Sequence, residues 1–402
     1  MGRMPRQTLT SSAVAGVTMV TAGSMIANIA SYLLHLPASR WLGPAGYGEF
    51  ASLLAAQLVL AVPALALQTV VAREVVRGKG AHAVRLLGYR CAVIVAVAAM
   101  LLAPLVSWAL DTGMLATFSA LITAPVLVLL ATEQGLLQGA ARFGPLSVVL
   151  AAAGVAKVVP AVVVLAVGAG PGLALAASAV GTGLVALCAR LFADSGITGE
   201  SRTRIGVAAV LKASQVQLAL IALSSMDLVI ARIVLSNDDA GLYALGAVAT
   251  KAAFWLPQAV GVVLYPRMAN PAHSAQAIRS ALAVLVGLGA VLVAGVAVAA
   301  PLVPLLVGDA YQPVQSLLWL FALHGACLAV LQGALLSAIA GERTHLAVIA
   351  WIGLAVEMTA MLTLASTIGQ FIAVAVTVAS STALVAGVLA VRSARRDAPC
   401  PM

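Results

Sequence analysis

The chain has 402 residues, of which 62% are hydrophobic and only 9% charged, with a mean hydropathy of +1.09. Soluble domains carry about 25% charged residues, so a soluble fold is excluded and a polytopic membrane protein is expected. The net charge of +9 does not point to nucleic acid, because the basic residues sit in short loops rather than on one face or in one domain.

In chain order, Arg3 and Arg6 precede an apolar run over 11–36. At 26 residues this run exceeds the roughly 7–15 of a signal-peptide core and is long enough to span a bilayer. A bare backbone cannot cross lipid, so each apolar segment of about 20 residues reads as a helix. Eleven more segments follow, at 48–71, 91–110, 115–140, 146–167, 173–192, 205–235, 242–265, 281–300, 314–340, 346–366 and 371–391. The polar stretch 194–204 is the expected linker between an N-terminal lobe, 1–193, and a C-terminal lobe, 205–402. The loop 73–90, rich in arginine, is expected to include a short helix lying at the membrane interface. Eighteen of the 22 Lys and Arg fall on one side of this alternation, so both termini are expected to be cytoplasmic, in a cell membrane protein.

The two halves echo each other. Gly48 recurs as Gly241 at a shift of 193, Pro63 as Pro257 and Arg73 as Arg267 at 194, Pro104 as Pro301 at 197, and Gln134-Gly135 as Gln332-Gly333 at 198. A nearly constant shift over so long a stretch indicates an internal duplication of about half the chain. The expected fold class is therefore an all-α polytopic membrane protein with twelve transmembrane helices in two pseudo-symmetric six-helix lobes around a central cleft.

The first span carries Thr21, Ser24, Asn28, Ser31 and His35 at helical spacing, a stripe suited either to a wet cavity or to tight packing between helices. Five charges fall at membrane depth: Glu133, Lys157, Asp227, Lys251 and Glu357. Each costs about 2.5–3.5 kcal/mol on insertion scales and so asks for a partner or a function. Asp227 and Lys251 are at similar depth, consistent with an ion pair or with an Asp227 that binds Na⁺ or a proton. Glu357 has no opposite charge at its depth in its own half, as suits either a proton-exchanging carboxyl or a protonated one bonded to a neighbouring helix. Lys157 either meets an anionic ligand or reaches Glu133. The lone histidines His35 and His324 read as structural. Cys91, Cys188, Cys327 and Cys400 lack metal-ligand spacing, and no catalytic or nucleotide-binding motif is present, so neither an enzyme nor a metal site is expected.

With Leu42-Gly43-Pro44-Ala45-Gly46-Tyr47-Gly48 after the first span, the lone Asp227, Gly241-Leu242-Tyr243-Ala244 and Tyr265-Pro266-Arg267, the sequence resembles the polysaccharide transporter, or oligosaccharide flippase, family of the multidrug/oligosaccharidyl-lipid/polysaccharide exporter (MOP) superfamily. The resemblance implies a two-lobed protein that moves a polyprenyl-diphosphate-linked saccharide from the inner to the outer leaflet by alternating access. Na⁺ or H⁺ would be the coupling ion, and glycosyltransferases and a polymerase would work beside it. It also implies a cation site formed by Asp227, Glu357 and Thr377. Asn28, Arg73, Lys157, Lys251 and Arg267 are the expected substrate contacts, with Arg73 and Arg267 receiving the diphosphate unless they serve topology alone. Two rivals stay open: a cation-coupled multidrug exporter of the multidrug and toxin extrusion (MATE) type, which suits three acidic against two basic groups at membrane depth, and a membrane-embedded glycan polymerase.

Overall fold

The computed structural model describes residues 6–193, 206–255, 274–340 and 347–396, all of them helix or short connection. The helices are α1 (Arg6–Leu60), α2 (Val62–Val76), α3 (Ala81–Ala109), α4 (Met114–Gly139), α5 (Phe143–Ala166), α6 (Pro171–Ala193), α7 (Val207–Leu223), α8 (Met226–Val234), α9 (Asn237–Trp255), α10 (Ser274–Ala299), α11 (Val303–Val307), α12 (Leu318–Ala340), α13 (Ala347–Leu364) and α14 (Ile368–Arg396). Among the described residues nine helical stretches are long and apolar enough to cross a membrane, and Val348–Leu364 is a shorter apolar helix. The protein is an all-α, multi-pass membrane protein.

Several expected boundaries move. The gap between the first two predicted spans closes, because α1 runs through it and departs from helical geometry only at Gly43, where φ is 67° and ψ 177°. A positive φ of this kind is open to glycine without a Cβ clash, so the chain turns there within one residue. The second predicted span is instead interrupted at Ala61, just before Pro63 in the first turn of α2. No interfacial helix forms over 73–90: α2 continues to Val76 and α3 starts at Ala81, so Arg85 and Arg90 lie on α3. The seventh predicted span is broken between α7 and α8. The linker 194–204 and the exit 256–273, with Pro257 and Arg267, lie outside the described residues.

The chain divides into two compact units, Met1–Trp41 with Leu60–Ser214, and Leu42–Val59 with Gln215–Met402. In the N-terminal unit α4 is the central helix, packed on α2, α3 and α6, while α5 packs on α6. Leu67, Val71, Leu87, Val128, Leu136 and Leu137 fill its core. Glycine lets the backbones approach: a Cβ on Gly135 or Gly139 would strike carbonyls of α2, and one on Gly154 would strike Ala27. Such contacts hold apolar helices together in lipid, where burial itself gives no drive between them.

The C-terminal unit repeats the scheme. Its central helix α12 packs on α9, α10 and α14, and α13 packs on α14. Leu223, Phe254, Leu328, Leu331 and Leu335 lie in its core. Helices α10, α12, α13 and α14 thus stand where α3, α4, α5 and α6 stand in the other unit, as the duplication requires, while α9 is the shifted counterpart of the end of α1. The segment 42–59 joins this unit at the motif shared by the halves. Gly48 abuts the backbone of Gly241 and the Asn237 carbonyl, and Gly241 abuts the Pro44 carbonyl. A shift of 193 exchanges Gly48 with Gly241 and Pro44 with Asn237, so the two contacts are mirror equivalents.

Candidate functional site

The broken seventh span shapes the site. Helix α7 ends at Leu223, and the Ser225 N–H turns back to the Ala222 carbonyl at 3.1 Å before α8 restarts at Met226. Asp227 therefore sits in the first turn of a new helix, where unpaired N–H groups favour a carboxylate. Its Oδ1 accepts the Leu228 N–H at 2.8 Å and its Oδ2 accepts the Tyr243 hydroxyl at 2.9 Å. Asp227 is 1% exposed. Tyr243 on α9 is itself buried, edge-on to Phe321 at 5.0 Å and to Phe371 at 5.9 Å between ring centres.

Three further ionisable groups lie within electrostatic reach of Asp227: Lys251 on α9, His324 on α12 and Glu357 on α13. Lys251 is half-buried, whereas His324 and Glu357 are 0% and 2% exposed. Among the described residues neither ring nitrogen of His324 and neither carboxyl oxygen of Glu357 has a hydrogen-bond partner. A buried polar atom left so costs about 1–3 kcal/mol, more if charged, so the cluster holds capacity to bind a proton or a small cation. Among the described residues no group of three or more His, Cys, Asp or Glu is placed to hold a metal ion. The arrangement suits proton exchange or a monovalent ion better than a transition-metal centre.

The structure gathers some of the sequence-predicted residues and leaves others apart. Asp227 and Glu357 lie within electrostatic reach of each other, two carboxyl groups of like charge. Lys251 joins them, while the carboxylate of Asp227 takes hydrogen bonds from Tyr243 and Leu228. The Thr377 hydroxyl is exposed and donates to the Ala373 carbonyl of its own helix at 2.7 Å. Asn28 is exposed on α1, and its stripe neighbour Ser31 bonds back to the Ala27 carbonyl at 2.8 Å. Arg73 is exposed at the end of α2, 3.7 Å from Glu74. Lys157 is half-buried on α5, its carbonyl accepting the Ser178 hydroxyl at 2.7 Å. Arg267 lies outside the described residues.

Sequence reading missed two features. Tyr243 was part of a motif but not recognised as the partner of Asp227, 16 residues earlier. Glu133 does not wait for Lys157: Arg85 holds it through two nitrogens, each 2.8 Å from a carboxylate oxygen, with the side chains only 11% and 7% exposed. Beside this pair Arg190 donates to the Tyr89 hydroxyl at 2.7 Å. Their separation of 48 residues gives no local signal for the pairing.

No protein-family model matches the chain, and no curated protein does. Solved structures do match over nearly the whole length. An inward-facing multidrug resistance MATE family transporter of the MOP superfamily superposes with a TM-score of 0.76 at 11% identity, covering 95% of this chain and 99% of the other. The Vibrio cholerae MATE transporter VcmN gives 0.65 at 16% identity, over 97% and 98%. A MOP superfamily transporter from Pyrococcus furiosus, described by the reverse polarity of its binding pocket, gives 0.61 at 15% identity, over 96% of each chain. This chain has the two-lobed fold of the membrane transporters of the MOP superfamily.

Proposed function

We propose that the protein is a flippase that carries a polyprenyl-diphosphate-linked saccharide from the inner to the outer leaflet by alternating access, coupled to Na⁺ or H⁺. In this reading twelve spans form two six-helix lobes about a central cleft, with both termini in the cytoplasm. Asp227 and Glu357 take up the coupling ion, joined by His324 and Tyr243. Asn28, Lys157 and Lys251 line the headgroup path, and Arg73 and Arg267 meet the diphosphate at its mouth.

The observation that carries this reading is the accessibility of the charges. Of the five charges expected at membrane depth, the carboxylates Glu133, Asp227 and Glu357 are all buried, and Glu133 is neutralised by Arg85. Lys157 and Lys251 are half-buried, and Arg73, Arg279 and Arg392 are exposed. An exporter of organic cations needs a reachable carboxylate, whereas an anionic headgroup needs reachable cations. The second reading, a MATE-type multidrug exporter, is favoured by the structural likeness to MATE transporters. In the Pyrococcus furiosus neighbour, reverse polarity of the binding pocket suggests a different function. Cells lacking the protein should lose a surface glycan and accumulate its lipid-linked precursor. Loss of cationic-dye efflux with the glycan intact would overturn the flippase in favour of the drug exporter.

A further inference from the structure

The same groove exists in both units and has been finished differently. In the N-terminal unit it lies between α3, α4 and α6, has a volume of about 270 Å³, and contains the Arg85–Glu133 pair with Arg190. The shift of 194 that relates Arg73 to Arg267 carries Arg85 to Arg279. The shift of 198 that relates Gln134 to Gln332 carries Glu133 to Leu331. In the C-terminal unit the equivalent groove, between α10, α12 and α14, has a volume of about 960 Å³. Arg279 lines it from the start of α10 and Arg392 from the end of α14, and no carboxylate among the described residues lines it. Where the N-terminal unit closes its arginine with an internal acid, the C-terminal unit leaves two guanidinium groups exposed at one end of an apolar trench.

The length of the trench is informative. From Arg279 to Ala297 the lining of α10 runs 18 residues, roughly 27 Å at 1.5 Å per residue. That nearly equals the ~30 Å hydrocarbon core, about twice what one leaflet's acyl chains span. Small residues, Gly289 on α10 and Gly387 on α14, deepen it, and Trp319 lines its far part. We propose that this groove seats the chain of a polyprenyl phosphate lipid along its full length, with the phosphate held by Arg279 and Arg392. The guanidinium pair supplies the charge complement for the headgroup, and the trench supplies the apolar track for a chain too long for one leaflet. The proposal rests on the lipid-linked cargo inferred above and places its tail outside any headgroup path.

The test is lipid retention by the purified full chain in detergent, read by native mass spectrometry, with decaprenyl phosphate and dipalmitoyl phosphatidic acid as probes. The wild-type protein retains decaprenyl phosphate about tenfold better than phosphatidic acid. Gly387→Phe, which fills the trench from α14 where an added Cβ meets only ordinary contact, removes that preference. Ala294→Phe does the same from α10 and serves if the first variant does not fold. The double substitution Arg279→Gln with Arg392→Gln weakens both lipids about tenfold. Equal retention of the two lipids by the wild type would make the groove an ordinary phospholipid seat and overturn the proposal. Unchanged decaprenyl phosphate binding in both filled variants would do so too. Because neither probe carries a sugar, these outcomes leave the flippase reading standing, while an intact surface glycan in cells lacking the protein would remove the flippase and leave the lipid seat.

Discussion

In the N-terminal unit the buried carboxylate of Glu133 is gripped by both arms of Arg85. In the C-terminal unit Asp227 meets a tyrosine hydroxyl, and Glu357 and His324 have no hydrogen-bond partner among the described residues. The helix packing of the two units is the same, with α4 central in one and α12 in the other, but the sites occupy different places in it: the Arg85–Glu133 pair joins α3 to α4, whereas the Asp227 cluster draws on α8, α9, α12 and α13. A salt bridge with good bidentate geometry satisfies its charges in one fixed state. A cluster in which a buried carboxyl and an imidazole have no hydrogen-bond partner among the described residues responds instead to what binds it. The duplicated scaffold therefore carries a rigid ion pair in one unit and a responsive cluster in the other, at positions that the duplication does not relate.

Four substitutions sharpen or break that contrast. The largest effect belongs to Asp227→Asn, which keeps the shape of the side chain and removes its charge: export of surface glycan is expected to fall to background while the protein still inserts and purifies as wild type. If export survives, the C-terminal cluster is as structural as the N-terminal ion pair. Next comes Glu133→Ala, which strands the Arg85 guanidinium and should cost about 3–5 kcal/mol in detergent unfolding experiments. A loss below about 1 kcal/mol would mean that Arg85 finds water and that the N-terminal pair is not a rigid strut. Tyr243→Phe removes one hydrogen bond to a buried carboxylate and should cost about 1.5–3 kcal/mol. It should also shift the ion or pH dependence of transport, which a purely structural tyrosine would leave in place. The smallest effect is at Gln138→Leu, which deletes the 3.1 Å hydrogen bond from Gln68 between α2 and α4. It should cost about 0.6 kcal/mol, the usual worth of a polar contact between membrane helices.

Much of the fold was legible because lipid simplifies the problem. Apolar length alone locates α3, α4, α5, α6, α10 and α14, and the recurring Gln-Gly pair aligns α4 with α12. The break between α7 and α8 was not legible, since Ser224 and Ser225 are tolerated inside membrane helices and carry no helix-breaking signature of their own. The continuation of α1 past residue 36 was hidden by Gly43 and Pro44, which read as a loop but bend the helix at a single residue. At the candidate site, the charges at membrane depth singled out Asp227, Glu357 and Lys251 because each is too costly to be idle. Tyr243 and His324 carry no net charge at neutral pH, so no such penalty marked them. Arg85 was assigned to the interface by its neighbours in sequence, and only its place on α3 reveals that it points at Glu133.

The meeting of Gly48 with Gly241 binds the history of the two repeats together. In most packed pairs a bulky change on one side is offset by trimming the other, but a residue with no side chain has nothing left to trim. A methyl group added at position 241 would run into the Pro44 carbonyl, and one added at 48 would crowd the backbone at 241. Each copy of the ancestral unit thus vetoes growth in its sibling at this point, so the repeats could diverge in charge and chemistry elsewhere while this seam stayed frozen.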